Sequence, residues 1–317
     1  MASGTSLIVT VTPNPAIDKT IWVEDCRLGR VNRVLRYRLD AGGKGINISR
    51  LLARLGWATA ALGFIAGNTG QYLDNLLRGM GIATDFVSVA GETRTNLKII
   101  DPTTGRTTEI NDPGPEVLPG EIELLRRKVA EAVSRGPLVV FSGSLPGGCP
   151  ADLYAEMIAV TKASGGKAVL DAAGEALRLG AQAGPFLVKP NRQELEDLFG
   201  TRFRTQREVA AATRELLGLG AEVAVVSLGE QGALAASGRS LWRLIPPKVQ
   251  VLNTVGAGDA LVAVLVASLS GGKSLPEALR YAVAAGSAAV SEPGTGLSSW
   301  DRIDALVSEV RVRQIAG

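Results

Sequence analysis

Leu138-Val139-Val140-Phe141 reads as a short apolar strand, residues 150–164 as a helix, and Lys167-Ala168-Val169-Leu170 as a second strand. Strand, helix and strand in that order call for parallel strands joined by a crossover helix. The same rhythm extends in both directions. Upstream, Leu7–Val11 and Ala58–Ile65 read as strands, with helices over 45–55, 69–80 and 119–135. The last of these has Pro119 near its start and Gly136 at its end, the usual punctuation of a helix. Downstream, Phe186–Val188 and Glu222–Ser227 read as strands, with helices near 192–199 and 206–219. The pattern defines an α/β core.

Two stretches break the rhythm. Residues 20–39 carry strand-like runs at Thr20–Val23 and Val31–Leu39 with no helix between them. Residues 93–112 carry Thr95–Asp101 and Arg106–Ile110, separated by the turn Pro102-Thr103-Thr104-Gly105. Four short strands from two insertions can form one small sheet beside the core. Such a sheet would serve as a lid over a site, and its exposed edges suit pairing with a second subunit. Two unrelated surface hairpins are the simpler alternative. The expected division is a core of residues 1–12, 41–91 and 113–317, with a lid of residues 13–40 and 92–112.

Composition removes whole classes of function. The 317-residue chain has 34 Lys plus Arg against 31 Asp plus Glu, a net charge of +3. That balance, with aromatics at 4%, fits neither a nucleic-acid groove nor a base-stacking platform. No apolar run approaches the ~20 residues that cross a bilayer. Met1–Ser6 lacks a basic segment ahead of Leu7, so no secretory signal is read, and two cysteines do not make a disulfide framework. A cytoplasmic protein is expected. The chain contains no histidine, which removes Ser-His-Asp and Cys-His triads and imidazole proton shuttles together. A general base must then come from Asp, Glu, Lys, Tyr or Cys.

Asn253-Thr254-Val255-Gly256-Ala257-Gly258-Asp259 leads into the helical run Ala260–Leu269. Small residues let a ligand approach the backbone, and the unpaired N–H groups of the helix start attract an anion such as phosphate. Asp259 would lie in the first turn, where it could simply complement the helix dipole. An aspartate facing an anion hole also suits phosphoryl transfer, with the carboxylate as base. Two look-alikes fail. Ala267–Ser274 resembles a phosphate-binding loop but has Ala267 for its first glycine and follows a helix. Gly256-Ala257-Gly258 opens a dinucleotide fingerprint, but Leu261 stands at the third glycine.

Other candidates are weaker singly. Asp40-Ala41-Gly42-Gly43-Lys44-Gly45-Ile46-Asn47 leads into a helix, as a flexible turn or as a backbone hugging a polyol with Lys44 and Asn47 as donors. Asn14–Asp18 follows the first strand, where α/β proteins place ligand-binding groups. Arg94 and Lys98 share one strand face and could hold a phosphate, although an exposed edge strand carries such charges anyway. Asn191 and Glu194 have capping-box spacing, and the same pair could hold water around Mg²⁺. Ser227–Gly232 is either a tight hairpin or a turn against a nucleotide.

Together these segments resemble the PfkB carbohydrate kinase family of the ribokinase-like superfamily, over almost the whole chain. The family's C-terminal signature usually begins with Asp where Asn253 stands here. Segments 14–18, 42–47, 93–98, 108–115, 142–146, 171–177 and 189–194 are most similar to the branch acting on ketohexose phosphates. The 6-phosphofructokinase branch typically has glycine where Lys44 stands. The resemblance implies a three-layer α/β/α core with a β-sheet lid, often a homodimer through that lid. It implies ATP-dependent phosphorylation of a ketohexose phosphate, fructose 1-phosphate first. Fructose 6-phosphate and tagatose 6-phosphate are the alternatives, and a non-catalytic sugar-phosphate sensor is the alternative of another class. It implies Asp259 as base, with Gly256, Ala257 and Gly258 as anion hole. Asp18, Gly42, Gly43, Asn47, Arg94 and Ser144 correspond to the sugar-phosphate site, with Lys44 and Lys98 as added cations. Lys189, Asn191, Glu194, Ser227, Gly229 and Gly232 correspond to the ATP and Mg²⁺ side, Glu194 acting on the metal through water. A monovalent cation is expected near Asn253, Val255 and 289–294.

Overall fold

A computed structural model describes residues 6–292 and 299–315. Among these, eleven strands form one sheet ordered Arg311–Gln314, Ser240–Ile245, Ala233–Ser237, Val223–Ser227, Leu187–Val188, Lys167–Asp171, Leu138–Ser142, Ile8–Thr12, Thr59–Ala66 and Ala83–Thr84, with Val87–Val89 also on Thr59–Ala66. Pairing is parallel from Ala83–Thr84 through Val223–Ser227 and antiparallel beyond it. The central strands Ile8–Thr12 and Leu138–Ser142 are buried at every residue, which is why Leu138–Phe141 reads as an unbroken apolar run rather than an alternation.

Alternate strand residues enter two cores. Ile8, Val140 and Val169 face the helices Lys44–Arg54, Ala257–Ser270 and Leu275–Val290. Val9, Val139, Phe141 and Leu170 face Pro119–Arg135, Leu153–Ala163 and Gln206–Leu219. This is the three-layer α/β/α architecture expected from the resemblance. Ala257–Ser270 is buried from Asp259 through Ser268, so it is a core helix without a polar face.

Strand Ile8–Thr12 has Thr59–Ala66 on one side and Leu138–Ser142 on the other, so the chain winds outward from it in both directions. That is the topological switch point, where the carboxyl ends of an open α/β sheet leave a crevice.

A second sheet of four strands has the order Arg36–Gly42, Ala16–Trp22, Arg94–Ile100 and Thr107–Ile110, taking two strands from each insertion. Ile17 and Ala41 pack with Leu73 and Leu77 of the helix Gly67–Gly79 and anchor this sheet to the core. The sequence reading places a strand over Val31–Leu39, whereas pairing begins only at Arg36. Leu28, Val31, Val34, Leu35 and Tyr37 are exposed.

Candidate functional site

Asp259 lies in the first turn of Ala257–Ser270, at the switch-point end of the sheet, and is buried. Asn47, in the first turn of Lys44–Arg54, donates from Nδ2 to Asp259 Oδ2 at 2.8 Å. Behind the pair lies a chain of alternating charges. Buried Asp171, the last residue of its strand, accepts on Oδ1 from Lys44 Nζ at 3.0 Å and from Lys189 Nζ at 3.3 Å. Lys44 also reaches Glu194 Oε1 at 3.4 Å. Lys189 Nζ lies 3.6 Å from the position a Cβ would take on Gly258, so a fixed ammonium stands at the same helix start as Asp259. Unpaired helix N–H groups with an ammonium at the same helix start can attract an anion, and Asp259 lies in that first turn.

Burial pushes the Asp259 carboxyl up to about 6, and the negative charge of Asp171 adds to the rise. The Asn47 hydrogen bond and the charges of Lys44 and Lys189 work against it. Burial opposes the Lys44 ammonium, but Asp171 and Glu194 outweigh that and hold its pKa above the ordinary lysine value. A carboxylate that titrates near 6 must be ionised to act as base. We therefore expect kcat/KM to be flat above neutrality and to fall as pH drops through about 6, approaching tenfold per unit. A rate–pH profile from 4.5 to 8.5 measures it, and a rate that stays flat down to pH 4.5 would contradict a base with a raised pKa.

Across the crevice, the second sheet presents Asp18, whose Oδ1 accepts from Asn96 Nδ2 at 2.9 Å. Burial raises the Asp18 pKa, while Asn96 and Arg94 counter the rise. Gly42 and Gly43 are the turn between strand Arg36–Gly42 and helix Lys44–Arg54. Arg94 donates to the Asn14 carbonyl from Nη2 at 2.8 Å and from Nε at 3.2 Å, which ties the start of its strand to the loop after Ile8–Thr12. Asn14 Nδ2 in turn donates to the Pro113 carbonyl at 2.9 Å. Asn14, Arg94, Ser144, Lys44 and Glu194 line a cleft of about 550 Å³. Lys98 is absent from this lining and pairs with Glu109 across the sheet at 3.2 Å.

Lys189, Asn191, Glu194 and Ser227 gather at the ends of the adjacent strands Leu187–Val188 and Val223–Ser227. Asn191 and Glu194 form the capping box: the Glu194 N–H donates to Asn191 Oδ1 at 2.9 Å and the Asn191 N–H to Glu194 Oε2 at 2.8 Å. Ser227–Gly232 is a hairpin turn, its Leu228 N–H donating to the Gly232 carbonyl at 2.8 Å, with Gly229 inside it. Thus the cap and the hairpin both exist and hold these residues at the crevice edge. Asn253 holds its own loop, its Oδ1 accepting from the Val255 N–H at 3.2 Å, while the Leu252 and Asn253 N–H groups reach the Val290 carbonyl. Pro293 and Gly294, in the segment expected to hold a monovalent cation, lie outside the described residues.

Asp171 is the one charge at the centre of the site that residue-by-residue reading does not single out. Its position as the last residue of a central parallel strand is the signal that could have done so.

Residues 12–302 match the family described as pfkB family carbohydrate kinase, and the chain belongs to that family. It is similar to the 1-phosphofructokinase of Bacillus subtilis, with 37% identity over 98% of this chain and 100% of the relative. It is 35% identical to the 1-phosphofructokinase of Borreliella burgdorferi, over 98% of this chain and 99% of the relative. Among solved structures, the phosphofructokinase-2 of Escherichia coli in complex with potassium superposes with a TM-score of 0.91 and 32% identity, covering 96% of this chain and 99% of that one. The chain is a PfkB-family kinase acting on a sugar phosphate. Among the described residues no helix is long and apolar enough to cross a membrane.

Proposed function

We propose that this kinase transfers the γ-phosphoryl group of ATP to fructose 1-phosphate, giving fructose 1,6-bisphosphate and ADP. The observation that carries the reading is buried Asp259 at a helix start beside Lys189, within reach of the charge of Lys44, which lines the same cleft as Arg94. Asp259 takes the proton of the acceptor hydroxyl, and that oxygen bonds to the γ-phosphorus as the bond to the β–γ bridging oxygen breaks. The N–H groups of Gly256, Ala257 and Gly258, with Lys189, stabilise the charge on the transferring group. Arg94 and Ser144 hold the phosphate already on the sugar, and Asp18, Gly42, Gly43 and Asn47 hold its hydroxyls. Lys98 contributes to the charge of the lid. Asn191, Ser227, Gly229 and Gly232 border the nucleotide.

Glu194 fits Mg²⁺ through water: its side chain is 14% exposed, and its oxygens suit a hard cation that keeps its hydration. Bound there, the metal would neutralise charge on the nucleotide phosphates. The loop of Asn253 and Val255 is the expected place for a monovalent cation, and the potassium complex of the Escherichia coli protein supports that reading. The exposed apolar residues Leu28, Val31, Val34, Leu35 and Tyr37 support a homodimer formed through the lid.

The names of the similar enzymes favour fructose 1-phosphate over fructose 6-phosphate. An assay coupled to ADP release, run on fructose 1-phosphate, fructose 6-phosphate, tagatose 6-phosphate and fructose, tests the choice. We expect kcat/KM to be highest for fructose 1-phosphate, by roughly tenfold or more over each alternative. A higher value for either 6-phosphate would reassign the substrate, and no sugar-dependent ADP release would favour a sensor.

A further inference from the structure

Thr12, Ser142 and Asp171 are the last residues of three adjacent parallel strands. Ser142 is directly opposite Asp171, and the pairing of Val11 with Phe141 brings Thr12 level with Ser142. The three side chains therefore stand in one row on one face of the sheet, about 4.8 Å apart from strand to strand. All three residues are buried, at 0–1% exposure. Among the described residues, Thr12 Oγ1, Ser142 Oγ and Asp171 Oδ2 have no hydrogen-bond partner. Three neighbouring buried oxygens without partners are a costly arrangement that native proteins resolve with bound water.

Gly45 shows where the two hydroxyls point. A Cβ on Gly45 would stand 2.2 Å from Thr12 Oγ1 and 2.8 Å from Ser142 Oγ. Both hydroxyls thus point to the first turn of helix Lys44–Arg54 and lie against Gly45, where any side chain would collide with them. The donor inventory fits a water: two hydroxyls that donate or accept, and one carboxylate oxygen that accepts. It does not fit a cation, because Lys44 and Lys189 already crowd the other oxygen of Asp171.

We propose that this row is a positioning device for phosphoryl transfer. A water bound by Thr12 Oγ1, Ser142 Oγ and Asp171 Oδ2 fixes the plane of the Asp171 carboxylate, so that Oδ1 stays aimed at Lys44 and Lys189. Lys189 is thereby held at the helix start beside Asp259, and Lys44 between Asp171 and Glu194. Thr12, Ser142 and Asp171 act through the lysines and touch no substrate. The inference rests on the kinase reading of the same site.

Two measurements test it. A high-resolution crystal structure of the unaltered protein is expected to show a water within hydrogen-bond distance of all three oxygens, and an empty position would overturn the proposal. Thr12→Val keeps the shape and removes the hydroxyl. With fructose 1-phosphate, or whichever sugar phosphate the enzyme turns over best, kcat is expected to fall roughly ten- to hundredfold, as for misplaced catalytic charge. KM for the sugar phosphate should stay within about twofold, and Thr12→Ser should recover the turnover. Turnover of Thr12→Val equal to that of the parent, or a change confined to KM, would overturn the proposal. The crystallographic result does not depend on turnover, so failure of the kinase reading and failure of this one are told apart.

Discussion

Asp259→Asn is expected to lower kcat by about 10²–10⁴-fold, the usual loss of a positioned base. The amide is nearly isosteric and its oxygen can still accept from Asn47, so the geometry of the helix start survives. What disappears is the lone pair that takes the proton, and no histidine exists to replace it. Sugar-phosphate affinity, measured by titration calorimetry, should change little, because the contact proposed for that phosphate is Arg94, not Asp259. The variant should also fold at least as well as the parent. A carboxyl raised from 3.8 to about 6 is less willing to ionise in the fold than in the open chain. Its contribution to stability is therefore greatest at low pH and declines as pH rises through that interval. Above it, removing the charge relieves a cost, so the melting temperature of Asp259→Asn at pH 8 should equal or exceed that of the parent. Near-normal turnover would remove Asp259 from the reaction. Lost activity with a lowered melting temperature would point to a structural role instead.

Gly42→Ala is expected to damage sugar binding without touching the nucleotide. The new methyl would stand 2.3 Å from Asp18 Oδ2, well inside contact distance. Asp18 can yield only by leaving Asn96, whose amide holds its other oxygen at 2.9 Å. Ala16, two residues earlier on the same strand, is paired with Gly42, so the backbone has little freedom to absorb the strain. Overpacking of this kind costs about 1–3 kcal/mol, which a chain of this size tolerates as a fold. The site does not tolerate it, since a displacement near 1 Å at a binding group costs on the order of 10²-fold. KM for the sugar phosphate should rise by about that factor, with KM for ATP within about twofold. Steady-state kinetics with each substrate varied in turn decide it. A rise in KM for ATP alone would place Gly42 on the nucleotide side.

The core was legible because its strands are buried on both faces. Runs such as Leu138–Phe141 are continuously apolar, and the intervening helices carry Pro and Gly at their ends. The lid was legible as four strand-like runs without helices, but its first edge was not. Val31 and Leu35 have the composition of a strand, yet pairing stops at Arg36, and they project as exposed apolar side chains. The hairpin partner Ala233–Ser237 was missed because its alanines carry little β-preference, and its place in the sheet comes from burial. At the site, Asp259 and its glycines announced themselves through a local helix-start pattern. The meeting of Lys44 with Asp171 and Glu194 did not, because these partners are 127 and 150 residues apart in the chain. For the same reason Lys44 read only as a donor to a sugar, whereas its ammonium, which lines the cleft, also pairs with Asp171 and Glu194. Arg94 and Lys98 read alike as cations four residues apart on one face of a strand. Only the fold separates the one that lines the cleft from the one paired with Glu109.

Phosphorus NMR of the complete reaction tests the central claim most directly. Enzyme, Mg²⁺, ATP and fructose 1-phosphate are combined, and the spectrum is followed to completion. The account predicts one new sugar phosphomonoester resonance for each ADP formed, with the original sugar phosphate retained on the same molecule, and no such product from Asp259→Asn. Formation of inorganic phosphate in place of the second ester, or no new ester from fructose 1-phosphate while a parallel sample with fructose 6-phosphate gives one, would contradict it.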